Sequence, residues 1–175
     1  GLTDQRAPFC GRRRKVRLLM VLSSILDAHA VRVINSVSSK KRLLQDISET
    51  AALIHGLSAR DVTDALQARE SLGCTGVGHG VALPHARIQG LTEVRGIFVR
   101  LERPLEFGSA DRQPIDLIFA LLAPTDAGVD HLKALALVAR TMRDVDLCTN
   151  LRLTTDVATM HAILTETPTR GSQAA

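Results

Sequence analysis

IDLIFALLAP, residues 115–124, is apolar at nearly every position and is interrupted only by Asp116. A half-buried strand alternates, so a continuous apolar run of this length reads as a central strand covered on both faces. Such a strand needs helices over the sheet, and the flanking sequence supplies them. Downstream, VDHLKALALVARTMRD sets Leu132, Leu135, Ala136, Val138, Ala139 and Met142 at helical spacing for a long core-facing helix, and TTDVATMHAIL gives a shorter one. Upstream, TEVRGIFVRL predicts a second strand near 92–101, joined to the first by the polar, Pro-containing link ERPLEFGSADRQP.

Further upstream, SSKKRLLQDISETAALIHG spaces Leu43, Leu44, Ile47, Ala51 and Ile54 along one helical face, with serines before it and Gly56 after it. Ser58 with Asp61 three residues on makes a capping-box pattern for a further helix that should end near Arg69-Glu70. A short strand is expected at 81–83. Strands and helices in this order, without an internal repeat, indicate a layered α/β fold.

The chain has 175 residues and 45% apolar content, enough for one well-buried domain. No window carries the eighteen or so uninterrupted apolar residues of a membrane helix, so no membrane insertion is expected. The net charge of +4 is concentrated in residues 1–19, where Arg6, Arg12, Arg13, Arg14, Lys15 and Arg17 face only Asp4; the remainder is close to −1. With no Trp or Tyr and four Phe, the chain lacks stacking platforms for bases, and no nucleic-acid partner is expected.

Residues 1–19 are expected to be a solvated basic extension, with Met20 resembling a natural beginning, residues 20–168 the domain, and 169–175 a flexible tail. Cys10, Cys74 and Cys148 are odd in number, widely spaced and without a CxxC pair. They argue for a reducing, cytoplasmic setting over a disulfide framework.

Chemistry concentrates in SLGCTGVGHGVALPHARIQGL, residues 71–91. Gly73, Gly76, Gly78 and Gly80, with Cys74 and Thr75 among them, can form a loop whose backbone N–H groups hold an anion such as phosphate. Pro84 then fixes the chain direction just before His85, whose neutral imidazole offers a nitrogen lone pair as nucleophile. Arg69 is a candidate bidentate partner for phosphate oxygens, and His131, in the first turn of the long helix, a candidate hydrogen-bond donor.

His79 is a possible pocket-lining residue, whereas His29, His55 and His161 read as surface or satisfied core positions. The glycines are followed by a strand and Pro-His, and GxxxxGK[ST] is absent, so dinucleotide-binding and P-loop assignments fail. Cys74, His79 and His85 lack paired metal-ligand spacing, so no metal and no cofactor are expected. A module that binds a small anion without covalent chemistry stays open at this point.

The run RESLGCTGVGHGVALPH, residues 69–85, resembles the phosphorylation-site signature of the fructose/mannitol-type IIA components of the bacterial phosphoenolpyruvate phosphotransferase system, in its nitrogen-regulatory branch above all. The resemblance spans about residues 20–165. It implies a single-domain mixed β-sheet flanked by α-helices, phosphorylation of His85, and active-site roles for Arg69 and His131. It implies a phosphorylated HPr-like carrier as donor, no metal, and regulatory targets such as potassium transporters or sensor kinases. The alternative it leaves is a sugar-specific subunit passing phosphate to a IIB domain. Cys74 stands where the family usually has Ser, His79 where it has Asn, and Ala86-Arg87 where it has Gly-Lys.

Overall fold

The computed structural model describes residues 20–166. Its elements run α1 (Leu22–Ile25), β1 (Leu26–Ile34), α2 (Lys40–His55), α3 (Ala59–Leu72), β2 (Gly76–Gly78), β3 (Val81–Ala82), β4 (His85–Ile88), β5 (Arg95–Leu105), β6 (Ile115–Pro124), α4 (Val129–Met142), α5 (Val145–Leu153) and α6 (Val157–Glu166). The expectations for residues 1–19, for Cys10 and for the tail from 169 lie outside the described residues.

The strands form one mixed sheet in the order β1-β5-β6-β3-β2, with β4 also on β6. β6 is its centre. It pairs antiparallel with β5 on one side and parallel with β3 and then β4 on the other. Apart from half-buried Asp116, all its residues are buried, which is why the 115–124 run carries no alternation. Helices α2 and α3 pack on each other, α2 against β1 and β5 and α3 against β4; α4 packs on β6, α6 on β1, and α5 on α4 and α6.

Helix starts follow local chemistry. The Ser39 and Ser58 side chains accept from Arg42 N–H and Asp61 N–H, and Gly56 at φ 66° closes α2 in the left-handed conformation that glycine tolerates. Helix α3 runs two residues beyond Glu70, to Leu72, which places Arg69 in its last turn.

Several expectations shift. β3 stops at Ala82, because the run leading to Pro84 cannot keep donating to β6; Pro has no N–H. β5 begins later and ends later than 92–101, since Leu105 still pairs with Ile115. α1, β1, β2, β4 and α5 are elements the sequence pattern did not indicate. In α4 the buried stripe is His131, Ala134, Leu137, Val138 and Met142, so Leu132 and Ala136 face outward. The rotated stripe carries His131 inward on the same face as core aliphatics.

Candidate active site

The break between β3 and β4 builds the site. Val81 pairs with Leu117 and His85 with Leu121, so both strands follow one line along β6 with Leu83-Pro84 as an interruption. Pro84 still accepts Leu121 N–H through its carbonyl (2.9 Å), while Leu83 is released from the ladder. Its N–H goes to the Thr75 carbonyl at 2.9 Å and its carbonyl faces His85 Nδ1 at 2.9 Å. From the other side Arg69 Nε donates to His85 Nε2 at 3.2 Å, and Arg69 Nη1 donates to the Gly73 carbonyl at 3.0 Å.

These two partners assign the tautomer. A carbonyl oxygen only accepts and a guanidinium N–H only donates, so the neutral His85 ring holds its proton on Nδ1 and keeps its lone pair on Nε2. The ring is half-buried. His131 meets it edge-on, with ring centroids 5.7 Å apart and planes at 70°.

His131 is 7% exposed and its Nε2 is buried without a hydrogen-bond partner. Burial first, then the nearby His85 and Arg87, hold the His131 ring below the ordinary imidazole pKa. An orphaned buried imidazole nitrogen is costly, and a phosphoryl oxygen arriving at His85 is the kind of partner that would satisfy it.

Arg69, Cys74, Thr75, Gly76, Leu83 and His85 share a pocket of about 260 Å³. The glycine segment itself is a tight β2–β3 hairpin, and the expected nest of free N–H groups is largely spent inside the protein. Thr75 N–H goes to Glu70, Gly76 N–H to Cys74 Sγ, and His79 N–H to Asp111.

Only Gly78 and Gly80 of the four have the positive φ expected of them. Gly76 is required for space, because a Cβ there would run into the Ser109 hydroxyl. Gly73 has φ 163° and open surroundings, so neither argument applies to it.

Gly78, His79 and Gly80 line a different cavity, of about 660 Å³, on the far part of the hairpin. Asp116 and Arg152 meet there in a doubly hydrogen-bonded ion pair at 2.8 Å, with Arg152 Nη2 also donating to the His79 carbonyl. Thus His79 and two loop glycines are brought together away from His85, while Arg69, Thr75, Gly76, Cys74 and His131 converge on it. Among the described residues no three His, Cys, Asp or Glu side chains cluster for a metal, Cys74 and Cys148 are free thiols, and no helix is long and apolar enough to cross a membrane. His29 is exposed beside Asp27, His161 Nε2 meets the Leu26 carbonyl, and His55, partly buried with its Nε2 unpartnered, is not among the residues lining the pocket.

Two residues near the site went unnoticed in the sequence. Glu70, inside the same motif as Arg69, accepts from both the Thr75 hydroxyl (2.6 Å) and the Thr75 N–H (3.0 Å), and Lys40 pairs with it at 3.0 Å. An acidic residue directly after the candidate phosphate-binding Arg was the available signal; Lys40, thirty positions away, had none.

Residues 24–167 match the family described as "Phosphoenolpyruvate-dependent sugar phosphotransferase system, EIIA 2". The chain is 43% identical over 149 residues to the "Nitrogen regulatory protein" of Bradyrhizobium diazoefficiens, covering 85% of this chain and 97% of that one. Among solved structures it is similar to the nitrogen regulatory protein IIA-Ntr of Neisseria meningitidis, with a TM-score of 0.77 and 35% identity over 82% of this chain and 99% of that one. The Escherichia coli IIA mannitol structure shares the fold with a TM-score of 0.67 at 18% identity, over 79% and 97% of the two chains. The chain belongs to the EIIA 2 family of the phosphoenolpyruvate-dependent sugar phosphotransferase system.

Proposed function

We propose that the chain is a phosphocarrier of the nitrogen-related phosphotransferase system, taking a phosphoryl group on His85 Nε2 and signalling its phosphorylation state to partner proteins. The observation that carries the proposal is the two-sided hold on the His85 ring: Leu83 keeps the proton on Nδ1, so the lone pair sits on the nitrogen facing Arg69.

The donor is a phosphorylated HPr-like protein. The Nε2 lone pair forms the new P–N bond as the donor's P–N bond breaks, and the donor nitrogen leaves with the bonding pair. His85 keeps its Nδ1 proton throughout, so no base is needed. Transfer of this kind rests on alignment and charge stabilisation. Arg69 exchanges the neutral ring nitrogen for the arriving oxygens, a charge-assisted bond stronger than the one it gives up. His131, held neutral by burial, donates to another oxygen. Leu72, Val77 and Leu132 present exposed apolar surface beside Arg69, the pocket and His131, suited to a docking protein.

Membership of the family and the nitrogen regulatory names of relatives at 41–43% identity favour a regulatory output, with potassium transporters and sensor kinases as the expected kinds of target. The test is incubation with phosphoenolpyruvate, enzyme I and the HPr-like carrier. Wild type acquires an acid-labile, base-stable phosphate and His85→Ala does not; equal labelling of the two would reject the site. Rapid onward transfer to a sugar IIB protein would redirect the output to uptake.

A further inference from the structure

We propose that Glu70 is a positioning residue that sets the tautomer and orientation of the His85 ring through Thr75, and so the readiness of Nε2. The proposal rests on the phosphocarrier reading for its kinetic consequence, though not for its spectroscopic one.

Glu70 follows Arg69 in the chain, yet its side chain turns inward and is 6% exposed. Both carboxylate oxygens close on one residue: Oε2 accepts the Thr75 hydroxyl at 2.6 Å and Oε1 the Thr75 N–H at 3.0 Å. Lys40 Nζ, 3.0 Å from Oε1, supplies the compensating charge and lies 4.1 Å from the centroid of the Phe107 ring. Phe107 in turn accepts from Cys74 Sγ through its carbonyl. The start of the hairpin is therefore pinned to α2, α3 and the 107 segment at once.

From Thr75 two further hydrogen bonds reach the imidazole. The Thr75 carbonyl takes Leu83 N–H at 2.9 Å, and the Leu83 carbonyl takes His85 Nδ1–H at 2.9 Å. The opposite ring nitrogen is held by Arg69, the covalent neighbour of Glu70. Both nitrogens of the acceptor ring are thus referenced to one helical turn, by the chain itself on one side and by the Glu70–Thr75 bridge on the other.

The chemistry of the bridge argues against stability as its purpose. Burying the Glu70 carboxylate costs its hydration, which a Lys40 side chain still 31% exposed repays only in part, and well-packed apolar residues of similar volume commonly stabilise a fold as well or better. What an ion pair with a bidentate hydrogen-bonded clamp adds is direction, and direction is what a nucleophile needs when a small misplacement costs up to about 100-fold in rate.

The experiment reads the ring nitrogens directly by 15N NMR above pH 8, alongside phosphorylation kinetics with the HPr-like donor. Wild type is expected to show the Nδ1–H tautomer. Glu70→Ala should show a mixture of both tautomers and slow transfer roughly 10- to 100-fold at saturating donor, with the donor KM within about twofold. Glu70→Gln, which keeps a carbonyl oxygen for the Thr75 N–H, should recover most of both. Thr75→Val removes only the hydroxyl and should give a smaller shift in the same direction; it decides the matter if Glu70→Ala does not fold.

A folded Glu70→Ala with the wild-type tautomer and rate overturns the proposal, as does a raised KM with unchanged kcat. If wild type accepts no phosphate while the variants still change the tautomer, the positioning role stands and the carrier reading falls.

Discussion

The two cavities flanking the hairpin differ in size and in how their charges are used. The larger, about 660 Å³, holds Asp111, Asp116 and Arg152, which satisfy one another or the backbone, with Arg143 exposed to solvent at its edge. Asp116 saturates Arg152, and Asp111 accepts His79 N–H and Gln113 N–H, which hold its carboxyl below the usual carboxylate range. The smaller, about 260 Å³, contains a guanidinium hydrogen-bonded to neutral groups and adjoins a buried imidazole nitrogen with no partner. Charge paired with neutral partners can be redirected to a dianion; charge already neutralised must first give up its carboxylate partner. The proposed reactivity follows the unspent electrostatics beside His85 and not the volume.

The sharpest way to break this contrast is at the two cations. Arg69→Met should slow phosphorylation of His85 by about 10²- to 10³-fold with little change in stability, as measured by phosphate incorporation and thermal unfolding. A rate within threefold of wild type would remove the smaller pocket's claim. His131→Leu should slow transfer by about tenfold, since one of several donors is lost while the orphaned nitrogen disappears.

The reciprocal experiment is Arg152→Met. It should leave the transfer rate within about twofold and instead cost about 1–2 kcal/mol in urea unfolding, a partly exposed ion pair being worth little more than its hydrogen bonds. Gly80→Ala sharpens the same point. Gly80 sits at φ 78°, and an added Cβ would lie 2.8 Å from both Arg152 Nη2 and Asp116 Oδ1, so a loss of about 1–3 kcal/mol is expected without a matching loss of transfer.

The smallest effect is in pH. Burial lowers the pKa of His131 and of His55, so the unfolded chain binds protons that the folded one refuses. Their contribution to stability is complete above the ordinary imidazole value near 6.5 and declines as pH falls below it. Urea midpoints measured between pH 7.5 and 5.5 should drop with acidity, and His131→Leu should flatten the decline. An unchanged slope would show that His131 is not held neutral by the fold.

Legibility along the chain tracked how local the determining forces were. Helices α2 and α3, with serine caps and a left-handed Gly56, and the double-sided strand β6 were readable because each is specified within its own residues. β1 was not: it is an edge strand, broken by a register shift between Leu26 and Val31, and its pattern exists only against β5. β4 has four residues and is a strand solely through β6. Helix α5 was missed although Asp144 caps it by accepting from Asp146 N–H and Leu147 N–H, because the preceding helix ends only two residues before that cap.

At the site, His85 and Arg69 could be named from a motif, since residue type and spacing carry that information, whereas His131 lies outside the apolar stripe expected of α4 and only its place in the first turn was legible. The sequence by itself thus determined a core of helices on a double-sided strand and singled out the imidazole and arginine on which the proposed transfer rests. Only the tertiary structure decided that the glycines form a hairpin instead of an anion nest, that Gly78, His79 and Gly80 serve another cavity, and which His85 nitrogen carries the lone pair. The reason is that a hydrogen bond belongs to two groups at once. Whether an N–H is free or spent depends on partners such as Asp111 or Glu70, whose arrival is set by packing across the whole fold.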